Sequence, residues 1–544
     1  MEKNYATIWE SFADAVPDRD ALVQGDVRRT WREFDDRASR IAAALTEAGL
    51  GPGSRVGQLL YNSTEFVESY FAAVKIRAVP FNINYRYVES EIEYLLADSG
   101  AEALVLHAEL RDRVEPLLAR LRHLRVVIEV GGTAGGHQDG VFRDYEQVVA
   151  SHEPAERIAR DGSDVTVSYT GGTTGMPKGV VMQMGAAIDE LLANIPALLG
   201  ERPVDSVDEL LERVADVDAP TGDLAVIPAS PLIHNAAVGV AMNPALLFGW
   251  RVVLLSSRSF DAAELWTAVD AESVAAVVIV GDAFARPMLR EVSARTYRAS
   301  SLRVVVSTGA MFSAETKAGL LERLPDLSVV DLISATEGSM GVAISVADAQ
   351  MPTGSFLPYP GVVVLDSDDR VVAPGNGGVG RIALPCTDRG YLRDEATSAE
   401  TFRFLDGIRY SIPGDFARVE AGGVLTLLGR GSSCINTAGE KVYPEEVEEV
   451  VKTFGPVEDC LVFGVPDERY GQRVAAVVSV LPGADAVGTD ELVDFARAKL
   501  AGYKVPRVAI FVDEVPRTAT GKPDYVAAKR MFSGGSLRTT GGPL

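Results

Sequence analysis

Cysteine is scarce. Cys386, Cys434 and Cys460 are the only three in 544 residues, with no CxxC pair and no Cys/His group at zinc spacing. That argues against a disulfide framework or a zinc-ligand module, and a reducing cytoplasm is the simpler setting. Positive charge is short as well: 52 Lys and Arg stand against 76 Asp and Glu, a formal net charge of -24. Nucleic acid and anionic membranes need clustered positive charge, so neither is an expected partner. The same field repels phosphate-rich substrates, which local lysines, arginines and a divalent cation would then have to attract. No run approaches the roughly 18 apolar residues of a transmembrane helix. The opening MEKNYATIWESFADAVPDRD lacks the basic start and apolar stretch of a signal peptide. The expectation is a soluble cytoplasmic protein.

What is present is ample apolar material: 47% hydrophobic against 24% charged residues. The chain is too long for one core, so at least two domains are expected. Short β-branched runs at 103–108, 125–130, 165–170, 224–229, 251–255, 274–280 and 302–310 read as buried strands. Amphipathic segments such as 63–76 alternate with them, which predicts an α/β fold with parallel-rich sheets covered by helices. Beyond residue 360, shorter strands and Gly-rich turns (406–430) predict a small antiparallel or barrel-like subdomain. After Gly429-Arg430 the pattern predicts a terminal α+β unit: a helix at 444–454, strands near 458–465 and 473–481, a helix near 490–500 and a strand at 507–512. The last stretch, 533–544, reads as a disordered tail.

The most informative segment follows the run at 165–170. It contains Thr170, Gly171, Gly172, Thr173, Thr174, Gly175, Met176, Pro177, Lys178 and Gly179. Glycines allow close backbone approach, converging N–H groups can cradle phosphate oxygens, and Lys178 adds positive charge. It is not a Walker A loop, because Pro177 precedes Lys178 and Gly179 follows it.

This string resembles the phosphate-binding signature of the adenylate-forming superfamily of acyl-CoA synthetases, peptide-synthetase adenylation domains and beetle luciferases. Six further segments resemble that family's motifs in the expected order. Pro231-Leu232-Ile233-His234 resembles the segment beside the acyl site, and Ser307-Thr308-Gly309-Ala310-Met311 the loop against adenine. Ser334-Ala335-Thr336-Glu337 resembles the Thr-Glu motif, Ser411-Ile412-Pro413-Gly414-Asp415 the ribose motif, and Gly429-Arg430 the entrance to a hinge. Pro516-Arg517-Thr518-Ala519-Thr520-Gly521-Lys522 resembles the C-terminal lysine loop. The resemblance implies a large adenylation domain over 1–429, a hinge at 430–432 and a mobile α+β domain over 433–532 carrying the catalytic lysine.

It also implies roles. Glu337 is a hard oxygen ligand suited to Mg²⁺ on triphosphate oxygens, with Thr336 donating to the α-phosphate. Asp415 offers two acceptors to the ribose hydroxyls, Arg430 supports ribose or phosphate, and His234 forms the wall between the ATP and acyl sites. Lys522 would contact the attacking carboxylate and the α-phosphate. A rotation about the hinge would then bring the Asn436–Lys441 loop to the site, with Gly439 passing the pantetheine arm. Lys441, Arg473 and Lys504 would serve the phosphates of coenzyme A. Two departures from the family are Ser432, where the hinge often has Asp or Lys, and Ile333-Ser334, which replace an aromatic-glycine pair. Small residues at 236–239, 280–283 and 338–341 leave room for a bulky or long apolar acid, as in actinobacterial synthetases for sterol side-chain or fatty acids. The expected cofactors are ATP, Mg²⁺ and coenzyme A. A ligase that loads a carrier protein, a luciferase-like oxidase and a non-catalytic acyl-nucleotide-binding homologue are the alternatives, and a homodimer stays open.

Overall fold

The structure is a computed structural model. It describes residues 2–132, 141–170, 177–198, 202–215, 223–375, 377–430, 435–437, 440–467, 471–481, 483–484, 488–500, 502–518 and 521–534.

The strands expected from β-branched runs form two large sheets. One has eight strands, in the order Gly390–Tyr391, Lys178–Gln183, Val165–Thr170, Val79–Asn82, Arg55–Leu59, Ala103–His107, Val126–Val130 and Phe142–Asp144. It is parallel except at its first three strands, where Val165–Thr170 and Lys178–Gln183 form an antiparallel hairpin edged by Gly390–Tyr391. The second sheet has a parallel centre, running Asp20–Gln24, Arg251–Leu254, Ala225–Pro228, Ala276–Ile279, Val304–Thr308 and Ser328–Ala335. From Ser328–Ala335 onward every neighbour is antiparallel, so the subdomain expected beyond residue 360 continues this sheet.

The helices cover these sheets because their apolar stripes have no other place to go. Tyr5–Ala15, Trp31–Glu47 and Thr64–Lys75 bury Trp9, Phe12, Trp31, Phe34 and Phe71 completely. Thr30 and Glu33 close a capping box at the start of the second helix, and Ser63 caps the third. Beneath them Lys75 and Arg160 both hold the buried Glu10 carboxylate at 2.7 Å, which satisfies charges that burial would otherwise penalise.

The terminal unit is a five-stranded sheet carrying the helices Pro444–Lys452, Thr489–Arg497 and Tyr525–Gly534. Val447 and Val451, one turn apart on the first helix, enter its core, and that helix stops at Lys452 rather than at the expected residue 454. The strands at Val457–Asp467, Gly471–Val480 and Val508–Val512 lie where the sequence placed them.

Candidate active site

Four neighbouring parallel strands of the second sheet end at the same rim. Beyond Ala225–Pro228 comes His234, beyond Ala276–Ile279 comes Gly281, beyond Val304–Thr308 come Gly309, Ala310 and Met311, and Ser328–Ala335 runs into Thr336 and Glu337. Carboxyl ends of parallel strands are where α/β sheets bind ligands. The fold therefore gathers residues scattered over about a hundred positions of sequence.

The hairpin Val165–Thr170 and Lys178–Gln183 flanks the Gly/Thr-rich segment expected to bind phosphate. Gly171, Gly172, Thr173, Thr174 and Gly175 lie outside the described residues, as does the Thr170 side chain. The hairpin itself is closed by the pair Thr170 and Lys178. Lys178 Nζ donates to Thr397 Oγ1 at 2.6 Å and pairs with Asp394 at 2.9 Å. That lysine and the Thr397 amide hold the Asp394 carboxyl down at about 2.

The Pro231–His234 segment is tied to the eight-stranded sheet by two asparagines that sequence patterns did not single out. Asn62 Oδ1 accepts from Leu232 N at 2.7 Å and its Nδ2 donates to Ser230 O at 3.3 Å. Asn82 Nδ2 donates to Ile233 O and, at 3.2 Å, to Tyr169 O, while its Oδ1 accepts from Tyr169 N at 3.1 Å. Asn82 thus couples the strand entering the phosphate loop to the histidine segment. Behind His234 lies a cavity of about 30 Å³ whose lining includes Gln58, Tyr70, Asn82, Ser168 and Asn243. His234 Nε2 is enclosed without a hydrogen-bond partner. Burial first, then the charges of Lys522 and Arg86, push its imidazole down to about 3, so the ring is neutral at physiological pH. A neutral positioning wall fits this better than a general base.

Thr336 and Glu337 form the turn between Ser328–Ala335 and Gly338–Ser345, which pair at Ala335 and Gly338. Glu337 is only 9% exposed, and Tyr391 Oη donates to its Oε1 at 2.6 Å. Ser334 Oγ lies 2.8 Å from Thr308 Oγ1, fixing this strand to the one before Gly309. Asp415 pairs with Arg430 across two antiparallel strands, so the expected ribose ligand adjoins the expected hinge. The Arg430 side chain, residues 431–434 with Ser432, Gly439 and the Lys441 side chain lie outside the described set. Lys504 holds Glu446 at 2.5 Å, and Arg473 stands 4.0 Å from Asp467.

Lys522 reaches this rim from the terminal domain. A Cβ placed on Gly309 would lie 3.2 Å from Lys522 Cε and 3.7 Å from Nζ, and one on Gly521 would lie 3.0 Å from Ala283 Cβ. The lysine turn is closed by Thr518 N to Lys522 O at 2.7 Å and anchored by Arg517, which pairs with Asp459 at 2.5 Å. Around the rim, Ala236, Val238, Val240, Ala283, Ala310 and Ile333 stay half-exposed, an apolar surface beside the polar groups. Four residues from the small-residue stretches do not join it: Ala237 and Val280 are packed in the hydrophobic core, Asp282 accepts from Ser313 N and Oγ, and Met340 is packed in the antiparallel core.

This arrangement has known counterparts. Residues 9–392 match the AMP-binding enzyme family and residues 446–522 the AMP-binding enzyme C-terminal domain. The chain belongs to the AMP-binding enzyme family. A 3-oxocholest-4-en-26-oate–CoA ligase of Rhodococcus rhodochrous is 39% identical over 97% of this chain and 96% of its own length. The medium-chain acyl-CoA ligase Mig of Mycobacterium avium is also 39% identical, over 97% and 98%. Among solved structures, the anthranilate CoA ligase AuaEII with anthranoyl-AMP superposes with a TM-score of 0.82 at 22% identity, covering 98% of this chain and 97% of that one. ATP-bound MatB from Rhodopseudomonas palustris gives 0.79 at 23% identity, over 98% and 99%. At such identities the two structures speak to the fold alone.

Proposed function

We propose that this enzyme is an ATP-dependent acyl-CoA ligase for a bulky or long hydrophobic acid, either a medium- to long-chain fatty acid or a sterol side-chain acid. The single observation that supports it most is Lys522, which crosses from the terminal domain to lie on Gly309 at the rim shared by His234 and Glu337. Relatives of the same length are named as ligases for such acids, and the half-exposed apolar rim suits a substrate of that class.

In the first half-reaction a carboxylate oxygen of the acid attacks the α-phosphorus of ATP. The bond from that phosphorus to the β-phosphate oxygen breaks, and pyrophosphate leaves with its electron pair. The carboxylate is already ionised and needs no base, which agrees with a neutral His234. Lys522 would offset repulsion between the two anions and steady charge on the five-coordinate phosphorus. Thr336 would bond the α-phosphate, Lys178 would leave Asp394 for the triphosphate, and Asp415 would accept from the ribose. In the second half-reaction the thiol of coenzyme A, losing its proton to solvent, attacks the acyl carbon, and the bond from that carbon to the phosphate oxygen breaks as AMP leaves with the electron pair.

Glu337 fits a divalent cation: it is a nearly buried carboxylate whose bonded partner is a phenol. Among the described residues no group of three metal-ligating side chains exists. A cation held by one carboxylate plus substrate phosphates is the usual Mg²⁺ arrangement. When bound there it would neutralise triphosphate charge. The reading carries with it domains at 1–429 and 433–532 about a hinge at 430–432, and a cytoplasmic site of action. Among the described residues no helix is long and apolar enough to cross a membrane. Pyrophosphate release with ATP and a panel of fatty, aryl and steroid acids, with and without coenzyme A, tests the proposal. Release only with amino acids contradicts the substrate class, and release without thioester formation contradicts the acceptor.

A further inference from the structure

One short segment holds three of the groups expected to handle the triphosphate. Arg389 Nη1 donates to Thr336 O at 3.4 Å, Tyr391 Oη donates to Glu337 Oε1 at 2.6 Å, and Asp394 with Thr397 holds Lys178. The segment is itself rigidly seated. Gly390 and Tyr391 pair with Val181 and Val180 on the hairpin that flanks the Gly/Thr-rich segment, and Leu392 N donates to Gly179 O at 2.8 Å. Tyr391 N donates to Ser398 Oγ at 2.8 Å, and its ring packs on Phe402 with centroids 5.5 Å apart. Lys178 Nζ lies 5.6 Å from the same ring centroid.

We propose that Tyr391 is a positioning residue for adenylation, holding the Glu337 carboxylate in place to receive the divalent cation that accompanies ATP. The inference rests on the acyl-adenylating function proposed above. A nearly buried carboxylate is costly without a cation, yet the arginine beside it, Arg389, bonds to Thr336 O and to Glu190 instead. A phenol fixes where one Glu337 oxygen sits without itself bringing a positive charge, and among the described residues no lysine or arginine is seen to pair with that carboxylate. Because the phenol belongs to a strand paired with the phosphate-loop hairpin, the cation ligand and the phosphate cradle share one rigid frame. Hydrogen bonds of this kind to a metal-ligating group govern its orientation and affinity.

Tyr391→Phe removes only the hydroxyl, so the strand pairing and the Phe402 contact remain. Mn²⁺ binding to the full chain is measured by electron paramagnetic resonance with α,β-methylene-ATP present. The variant binds Mn²⁺ about tenfold more weakly than the wild type, its melting temperature moves by no more than about 3 °C, and KM for the acid is unchanged. In a Glu337→Gln background the tyrosine change adds nothing further. Mn²⁺ affinity within twofold of wild type, or a full additional loss in the Glu337→Gln background, overturns the positioning role. A wild-type chain that binds the nucleotide analogue neither with nor without Mn²⁺ overturns the adenylating function itself.

Discussion

Lys522 and Gly309, 213 positions apart, share a surface on which a single added methyl carbon would sit 3.2 Å from the lysine Cε. The glycine has φ +79, a conformation that other residues adopt only with strain. The backbone favours glycine, and the lysine's approach to the strand end makes any added side chain a tight fit.

Gly309→Ala therefore acts on one half-reaction. Left-handed strain costs about 1–2 kcal/mol, and displacement of Lys522 adds to it. Adenylation, followed as acid-dependent pyrophosphate exchange, falls by about tenfold or more. Thioester formation from supplied acyl-AMP changes much less. Equal losses in both contradict the account.

The contact between domains also predicts a pH response. A Cβ at Gly429 would collide with the Glu445 carboxylate, and Glu445 Oε2 is enclosed without a hydrogen-bond partner. Burial first, then Glu448 and Asp415, raise this carboxyl from 4.5 to about 8. A raised value means that the observed arrangement binds a proton which an exposed Glu445 releases. Its contribution is fully present below about 4.5 and lost as pH rises through about 8. The amplitude of the adenylation burst should decline between about pH 7 and 9 in the wild type and stay level in Glu445→Gln. Superimposable profiles contradict this.

Asn82→Ala strips the bonds that join Tyr169 to Ile233. Three backbone groups lose their partner, at about 1–3 kcal/mol for each that stays dry. Denaturant unfolding should show a loss of at least about 2 kcal/mol, and KM for ATP should rise while KM for coenzyme A holds. An unchanged KM for ATP would mean that the clamp is structural alone.

Much of this was legible in the sequence because the motifs are local. The Gly/Thr string, Thr336-Glu337 and the lysine loop are each continuous in the chain, and β-branched runs located the strands to within a residue or two. Other residues left no local mark. Asn82 meets Ile233 across 151 positions and Tyr391 meets Glu337 across 54, so only the paired strands bring them together. Glu445 shows the same limit in another form. Its position in a helical first turn reads as dipole complementarity, while its burial depends on Gly429 from the other domain. Asp282 looked like space beside the acyl site but is tied down by Ser313.

The central claim is that Lys522, carried on the terminal domain, serves acyl-adenylate formation at the strand-end rim and not the later thioester step. Lys522→Ala, assayed separately for acid-dependent pyrophosphate exchange and for thioester formation from supplied acyl-AMP, tests it most directly. The account predicts a loss of about a hundredfold or more in exchange, with thioester formation largely retained. Equal loss in both reactions, or exchange near the wild-type rate, would contradict it.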